Sequence, residues 1–310
     1  MNKPFDFYKN QIQIHTEALQ KLKRQLAISS SIRLLVFLLA CFGVYFFYGN
    51  TQIVIAIIVI AIIAFVYLVT KHNGLQYQRD LKRALIAQNE TELDVLNRAF
   101  HHLPAGEKYK DPLHFYSQDI DLFGRGSFFQ YLNRTALESG ADFLAKIFTE
   151  NKIDAIPKKQ EAIKEMAGKA EWRQRFSAIA SLVKTESPGS EVNNWLKNYK
   201  AFMPKWIKPL SVVFTVVSVG LIISNYFGVL SGYFTAGWLV LGIIISGIFQ
   251  KKVNNLTKHT SKIQSTFEQF YKLILEIENE AFTAEILFEK RNALIQPNAK
   301  TSSILKQFAR

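Results

Sequence analysis

The residues best suited to chemistry lie in one stretch, 119–140, which reads DIDLFGRGSFFQYLNRTALESG. Gly124-Arg125-Gly126-Ser127 forms a turn that opens directly into an aromatic-rich segment. Free backbone amides at a helix start, beside a guanidinium, suit a phosphate or carboxylate. Arg125, Ser127 and Arg134 are therefore the candidate contacts for an anion or a nucleic-acid phosphate. The competing reading is a plain capped turn. Ser127 stands where an N-cap belongs, Phe128, Leu132 and Thr135 fall on one helical face, and Gly140 ends or breaks the helix. Nucleotide loops find little support elsewhere. The third glycine of a dinucleotide-binding turn is missing, and Gly168-Lys169 is followed by Ala170 with no glycine five residues earlier, so there is no P-loop. His101, His102 and His114 sit around a Pro/Gly-containing loop without a carboxylate at ligand spacing, which favours ordinary loop histidines over metal ligands. The single cysteine, Cys41, excludes an intramolecular disulfide and a cysteine metal cluster. No catalytic constellation, cofactor site or metal site is read in this chain.

The elements that must position these residues divide sharply by polarity. Four blocks carry no charged residue: 34–48, 53–69, 210–226 and 233–249. With their polar shoulders each approaches the ~20 residues that a helix needs to cross a bilayer. They form two hairpins, turning at Gly49-Asn50-Thr51 and around 227–232, and neither turn is charged. Lysines and arginines flank the other ends: Lys21, Lys23, Arg24 and Arg33 before the first hairpin, Lys71, Arg79, Lys82 and Arg83 after it, Lys197, Lys200, Lys205 and Lys208 before the second, and Lys251, Lys252, Lys258 and Lys262 after that. The positive-inside rule then places both termini and the middle segment in the cytoplasm of a multi-pass inner-membrane protein. The formal net charge of +13 is explained mainly by this topology and by attraction to anionic lipid head groups. Because the blocks contain no ionisable residue, they read as membrane anchors that associate closely, Gly242 and Ser246 giving a small-xxx-small contact, and not as a conduction path.

The fold class expected is all-α: two transmembrane helical hairpins (four spans) and a cytoplasmic helical domain. The divisions are an amphipathic N-terminal segment (1–31), hairpin one (32–70), the cytoplasmic domain (71–206), hairpin two (207–250) and a long cytoplasmic helix (251–310). Within the first, Leu19, Leu22 and Leu26 recur at helical spacing, as in a helix lying on the inner membrane face. A helix over 76–100 continues the second span, with Leu81, Leu85, Leu93 and Leu96 on its apolar face. Pro157 suits the first turn of a helix running to about residue 183, and Ser187-Pro188-Gly189-Ser190 is a turn. The most regular pattern comes last. Leu256, Thr260, Ile263, Phe267, Phe270, Ile274, Ile277, Ala281, Ala284 and Phe288 alternate steps of four and three. An unbroken helix here would be on the order of 50 Å long. It either packs on its own domain or, through Ile263, Phe267, Phe270, Ile274 and Ile277, on a partner helix such as that of a second copy.

Asp121-Leu122-Phe123-Gly124, Ser127-Phe128-Phe129, Leu132-Asn133-Arg134-Thr135, Gly140, Leu144 and Lys159-Gln160-Glu161-Ala162-Ile163-Lys164-Glu165 resemble the start of the core, or lever, domain of the MutS family of DNA mismatch repair ATPases. The resemblance covers about 112–176, with the core extending to about 195, and a lever helix over about 251–294. It is nearest to the membrane-bound, MutS-like branch. Asp142 and Lys159 stand where the family has arginines. Residues 1–100 take the place of the mismatch-reading domain, and Phe148-Thr149-Glu150 matches the family's wedge motif only by chance. The second hairpin sits where family members insert the DNA-touching clamp. What the resemblance implies is an ATP-binding domain, with ATP and Mg, C-terminal to Arg310, coupled through levers to double-stranded DNA or another partner. A non-enzymatic scaffold that forms a homodimer through the seam is the alternative.

Overall fold

The computed structural model describes residues 3–150, 152–182, 206–296 and 299–308. The turn read at 187–190 and the lysines at 197, 200 and 205 lie outside the described residues, as do the side chains of Thr260 and Ile263. The regular secondary structure of the described chain is helical apart from a pair of two-residue antiparallel strands, β1 (Ile295–Gln296) and β2 (Ala299–Lys300). It forms two compact units, one of 1–184 with 269–304, the other of 185–268 with 305–310.

The first unit is built on a long antiparallel hairpin, α1 (Lys3–Phe46) and α2 (Thr51–Leu96). Asn50 caps α2 by accepting the Ile53 amide at 3.4 Å. Side-chain contacts fix the register along the hairpin. The Ile57 side chain lies against Gly43, His72 Nδ1 is 3.3 Å from Ser29 Oγ, and Lys82 Nζ is 3.5 Å from His15 Nδ1. The N-terminal segment is thus not a separate helix lying on a membrane surface. It is the first half of α1, and its Leu22 and Leu26 are buried. Apolar windows long enough to cross a bilayer occur in three described helices, Pro4–Phe46, Thr51–Leu96 and Gly232–Lys251, and those windows are almost wholly exposed. Water does not tolerate so large an uncovered apolar area on a folded chain, so the protein is membrane-associated.

In the second unit, α7 (Ile207–Tyr226) returns as the start of α8 (Gly232–Asn279). The apolar part of α7 is Pro209–Asn225, about 26 Å at 1.5 Å per residue, which falls short of the other three. The rings of Phe214 and Trp238 stack at 4.7 Å, and Trp238 Nε1–H donates to Ser218 Oγ at 3.0 Å. That bond gives the indole N–H the partner it needs in apolar surroundings. A Cβ on Gly242 would overlap the Phe214 ring.

The other helices of the first unit are α3 (Phe128–Leu132), α4 (Glu138–Glu150), α5 (Ile156–Gly168), α6 (Ala170–Ser181), the end of α8, α9 (Glu285–Leu294) and the start of α10 (Thr301–Phe308), and 97–127 is irregular apart from a 3-10 turn at Glu107–Tyr109. Leu81, Leu85, Ala178, Ile179, Ala180 and Leu273 form one core. Leu122, Phe123, Phe129 and Ala145 form another.

The structure departs from three further sequence expectations. The helix expected from 157 to about 183 is two helices, broken at Lys169 (φ −102°, ψ 48°). The helix opened by Ser127 stops at Leu132, because the Asn133 side chain accepts the Thr135 amide (3.0 Å) and hydroxyl (2.7 Å) and draws the chain into a turn. Its buried face is Phe129 and Gln130, with Phe128 and Leu132 exposed, and Gly140 lies inside the first turn of α4. The long C-terminal helix is also interrupted, after Asn279. Phe282 and Ala284 are buried, Lys169 Nζ donates to Glu280 Oε1 at 2.5 Å and to the Ala281 carbonyl at 2.8 Å, and Glu165 accepts the Thr283 and Ala284 amides at 3.0 and 2.7 Å. Those bonds replace the intrahelical ones across 280–284 and start α9 afresh. Glu278, 1% exposed, then caps α10 by accepting the Ser302 amide at 3.0 Å and hydroxyl at 2.5 Å.

Candidate functional site

The Gly-Arg-Gly-Ser turn is held by its own chain. Gly124 (φ 112°) and Gly126 (φ 79°) occupy backbone conformations that side-chain-bearing residues rarely adopt. Ser127 is the N-cap of α3: it is 2% exposed and its Oγ accepts the Gln130 amide at 3.1 Å. The Gly126 amide donates to Gln130 Oε1 (2.7 Å), Ser127 to the Gly124 carbonyl (3.2 Å), Phe128 to Asp121 (3.2 Å) and Phe129 to Leu122 (3.1 Å). Every amide from Gly126 to Gln130 therefore has a partner inside the protein. With those amides committed, the side chain that the turn presents to an anion is the exposed Arg125.

Gln130 is the residue that sequence reasoning passed over. It is 1% exposed, and its Nε2 donates to the carbonyls of His101 (3.1 Å) and Leu103 (2.5 Å). It thereby pins the loop after α2 to the turn. A lone glutamine in an apolar pattern gives no sign of this, because both carbonyls come from a segment about thirty residues earlier. His114 is likewise structural: Nδ1 accepts the Ser117 amide at 3.2 Å, which leaves Nε2–H to donate to the Thr149 carbonyl at 3.2 Å. Asp142, where the MutS pattern has arginine, accepts the Tyr109 hydroxyl at 2.6 Å and sits 3.0 Å from Lys108 Nζ. The Tyr109 bond first, then Lys108, holds its carboxyl below the usual range.

Arg134 does not act with Arg125 at the turn. Its Nε donates to Glu92 Oε1 at 2.8 Å, and one terminal nitrogen bonds the Tyr131 and Asn133 carbonyls, each at 2.9 Å. It borders a cavity of about 550 Å³ that is walled by the N-terminal turns of α1, the 88–92 part of α2, the 134–140 segment and α6. Tyr8, Glu92, Arg134, Ser139 and Arg173 are among its polar residues, with Gln88, Thr91, Thr135, Gln174 and Ser177. Leu137, Met166, Trp172 and Phe176 supply apolar wall. Trp172 is fixed in place, stacked on Phe176 at 5.3 Å, edge-on to Phe282 at 5.4 Å, and donating Nε1–H to the Glu276 carbonyl at 3.3 Å.

The seam on α8 is used unevenly. Phe267, Ile274 and Ile277 are half-buried and Phe270 is exposed, while the fully buried residue of this helix face is Leu273, one position off the seam and part of the core with Leu81 and Ile179. Among the described residues, no cluster of three or more His, Cys, Asp or Glu is arranged to hold a metal ion. Comparison with protein-family models, characterised proteins and solved structures finds no match for this chain.

Proposed function

We propose that the chain is the anchor-and-lever portion of a membrane-bound, MutS-like protein, with four spans, both termini and the middle segment in the cytoplasm of an inner-membrane protein, and an ATP-binding domain following Arg310. The observation that carries this reading is the continuity of the helices. α1, α2 and α8 each join an apolar, membrane-length segment to a charged segment without a break, and the last residues of α8 share a core with α2 and α6. Helices of this kind suit the transmission of a movement between membrane and module better than isolated anchors do. The residues of the MutS-like pattern add support: Leu122, Phe123 and Phe129 form a core, and Glu165 organises the start of α9. In this reading the second hairpin stands in for the DNA-touching clamp, and DNA is a candidate partner reached through the basic cytoplasmic surface.

The test is the reading frame and the activity of its product. Translation beyond Arg310 is expected to enter a Gly-x-x-x-x-Gly-Lys-Ser/Thr loop, and the whole protein in nanodiscs is expected to hydrolyse ATP, with loss of turnover when that lysine is replaced by alanine. A stop codon directly after Arg310 refutes the ATPase. The alternative, a homodimeric membrane scaffold joined through the seam, draws on the exposure of Phe270 (37%) and Phe288 (47%); a strict monomer in crosslinking refutes it.

A further inference from the structure

We propose that the cavity between α1, α2, the 134–140 segment and α6 binds a small amphiphile bearing one negative charge. Its anionic head lies on Arg173, and its apolar part lies along Leu137, Met166 and Trp172. The inference is independent of whether an ATP-binding domain follows.

The charge count points to a monoanion. Three ionised side chains border the space: Arg134, Arg173 and Glu92. Arg134 and Glu92 neutralise each other at 2.8 Å, which leaves the charge of Arg173. The Arg173 side chain is exposed and has no hydrogen bond or ion pair with any described residue, its backbone amide alone being bonded, to the Lys169 carbonyl at 3.0 Å. Arg175, two residues on, is paired instead with Glu276 at 2.8 Å. A guanidinium binds carboxylates and phosphodiesters through parallel N–H···O bonds, so an uncommitted one at a cavity wall is a specific anion receptor.

The neutral polar groups agree. Tyr8 and Ser139 border the same space, and their hydroxyls have no hydrogen-bond partner among the described residues. Each is able to donate to a second oxygen of the head. Gln88, Thr91, Thr135, Gln174 and Ser177 also line the space, but most of the wall surface is apolar, and Trp172 is held against Phe176 and Phe282. A preformed apolar wall with a few convergent polar groups, in a cavity of about 550 Å³, is how small-molecule sites are built, and their volumes run from about 300 to 1,000 Å³. A dianion would meet only one uncompensated positive charge and would face the Glu92 carboxylate, so a single charge is preferred.

The experiment uses the whole chain in phosphatidylcholine nanodiscs, with empty nanodiscs subtracted, and three probes: octanoate, dihexanoyl phosphatidylglycerol and the neutral octanamide. Saturable one-to-one binding of at least one anionic probe is expected, with octanamide binding at least about tenfold more weakly. Arg173→Gln should weaken the anion about tenfold or more, and Arg173→Lys should recover part of the loss. Ser139→Trp, which obstructs the cavity with Arg173 intact, should also abolish binding. Octanoate alone binding identifies a free carboxylate as the ligand chemistry, and phosphatidylglycerol alone a lipid phosphodiester. No saturable binding by either anion, equal binding by Arg173→Gln, or octanamide bound as tightly as the anions overturns the proposal.

Discussion

Replacing Gln130 by methionine tests whether one buried amide holds the turn and the loop after α2 together. The side chain is 1% exposed and makes three bonds beyond its own helix, to the carbonyls of His101 and Leu103 and from the amide of Gly126. Methionine keeps the volume and removes all three. A typical internal hydrogen bond contributes about 1 kcal/mol net, and a group left unpaired in the interior costs about 1–3 kcal/mol. His101 and Gly126 are themselves exposed and Leu103 is half-buried, so water reaches some of the vacated groups. The expected loss is therefore about 2–4 kcal/mol, well below three full desolvation penalties. Because about 1.4 kcal/mol is a factor of ten, amides in this region should exchange with deuterium roughly 30- to 1,000-fold faster. Hydrogen exchange by mass spectrometry on the whole chain in nanodiscs reads this directly in peptides covering 101–103 and 124–133, with peptides of α8 as internal controls. Gln130→Glu should be worse than Gln130→Met, since it sets a carboxylate against two carbonyl oxygens. Exchange in Gln130→Met within threefold of the unmodified protein would refute the clamp.

Two further perturbations follow from the fold. Glu165 has its carboxyl held below the ordinary 4.5, chiefly by the Ala284 amide; a depressed folded value means its contribution is full above the unfolded pKa and lost as pH falls through the folded one. The Thr283 and Ala284 amides, corrected for intrinsic rates, should lose protection progressively below about pH 4.5, while Glu165→Gln should start less protected and change little over that range; parallel pH profiles would contradict the assignment. Gly242→Ala places a methyl group in the Phe214 ring and should break its stack on Trp238 at a cost of about 1–3 kcal/mol, read as a shift in Trp238 emission in a background with Trp172, Trp195 and Trp206 changed to phenylalanine; an unchanged spectrum would show that the two helices do not meet as described.

The parts legible in sequence are those fixed by local physics. Apolar segments announce themselves because a charge-free run of that length has few uses outside a membrane, and Ser127 announces a helix start because its hydroxyl acts three residues away. The parts that were not legible depend on distant partners. Nothing between Asn279 and Glu285 is a proline or glycine, yet the helix stops there because Lys169 and Glu165, more than a hundred residues earlier, bind its backbone. Arg134 stands out in the sequence as a candidate, but its pairing with Glu92 does not, because Glu92 lies on α2, forty-two residues back. The cavity joins Tyr8 to Arg173, a closeness that no spacing rule reveals, and Arg173 itself looks like any solvated charge on a helical surface.

The register of the α1–α2 hairpin has an electrostatic consequence. From Arg33 back to Tyr8, and from Val69 on to Glu92, each helix is continuous, a distance of about 35 Å at 1.5 Å per residue. The Debye length in physiological salt is about 8 Å. The cavity bordered by Tyr8 and Glu92 therefore lies several screening lengths along the stalk from the apolar ends and, in the proposed topology with the stalk standing in the cytoplasm, beyond the field of an anionic leaflet around them. A charged lipid cannot be drawn there by the surface potential, and any ligand of lipid origin has to leave the bilayer first. Arg173 works at the ionic strength of the aqueous phase, so the site discriminates among solutes by its own geometry.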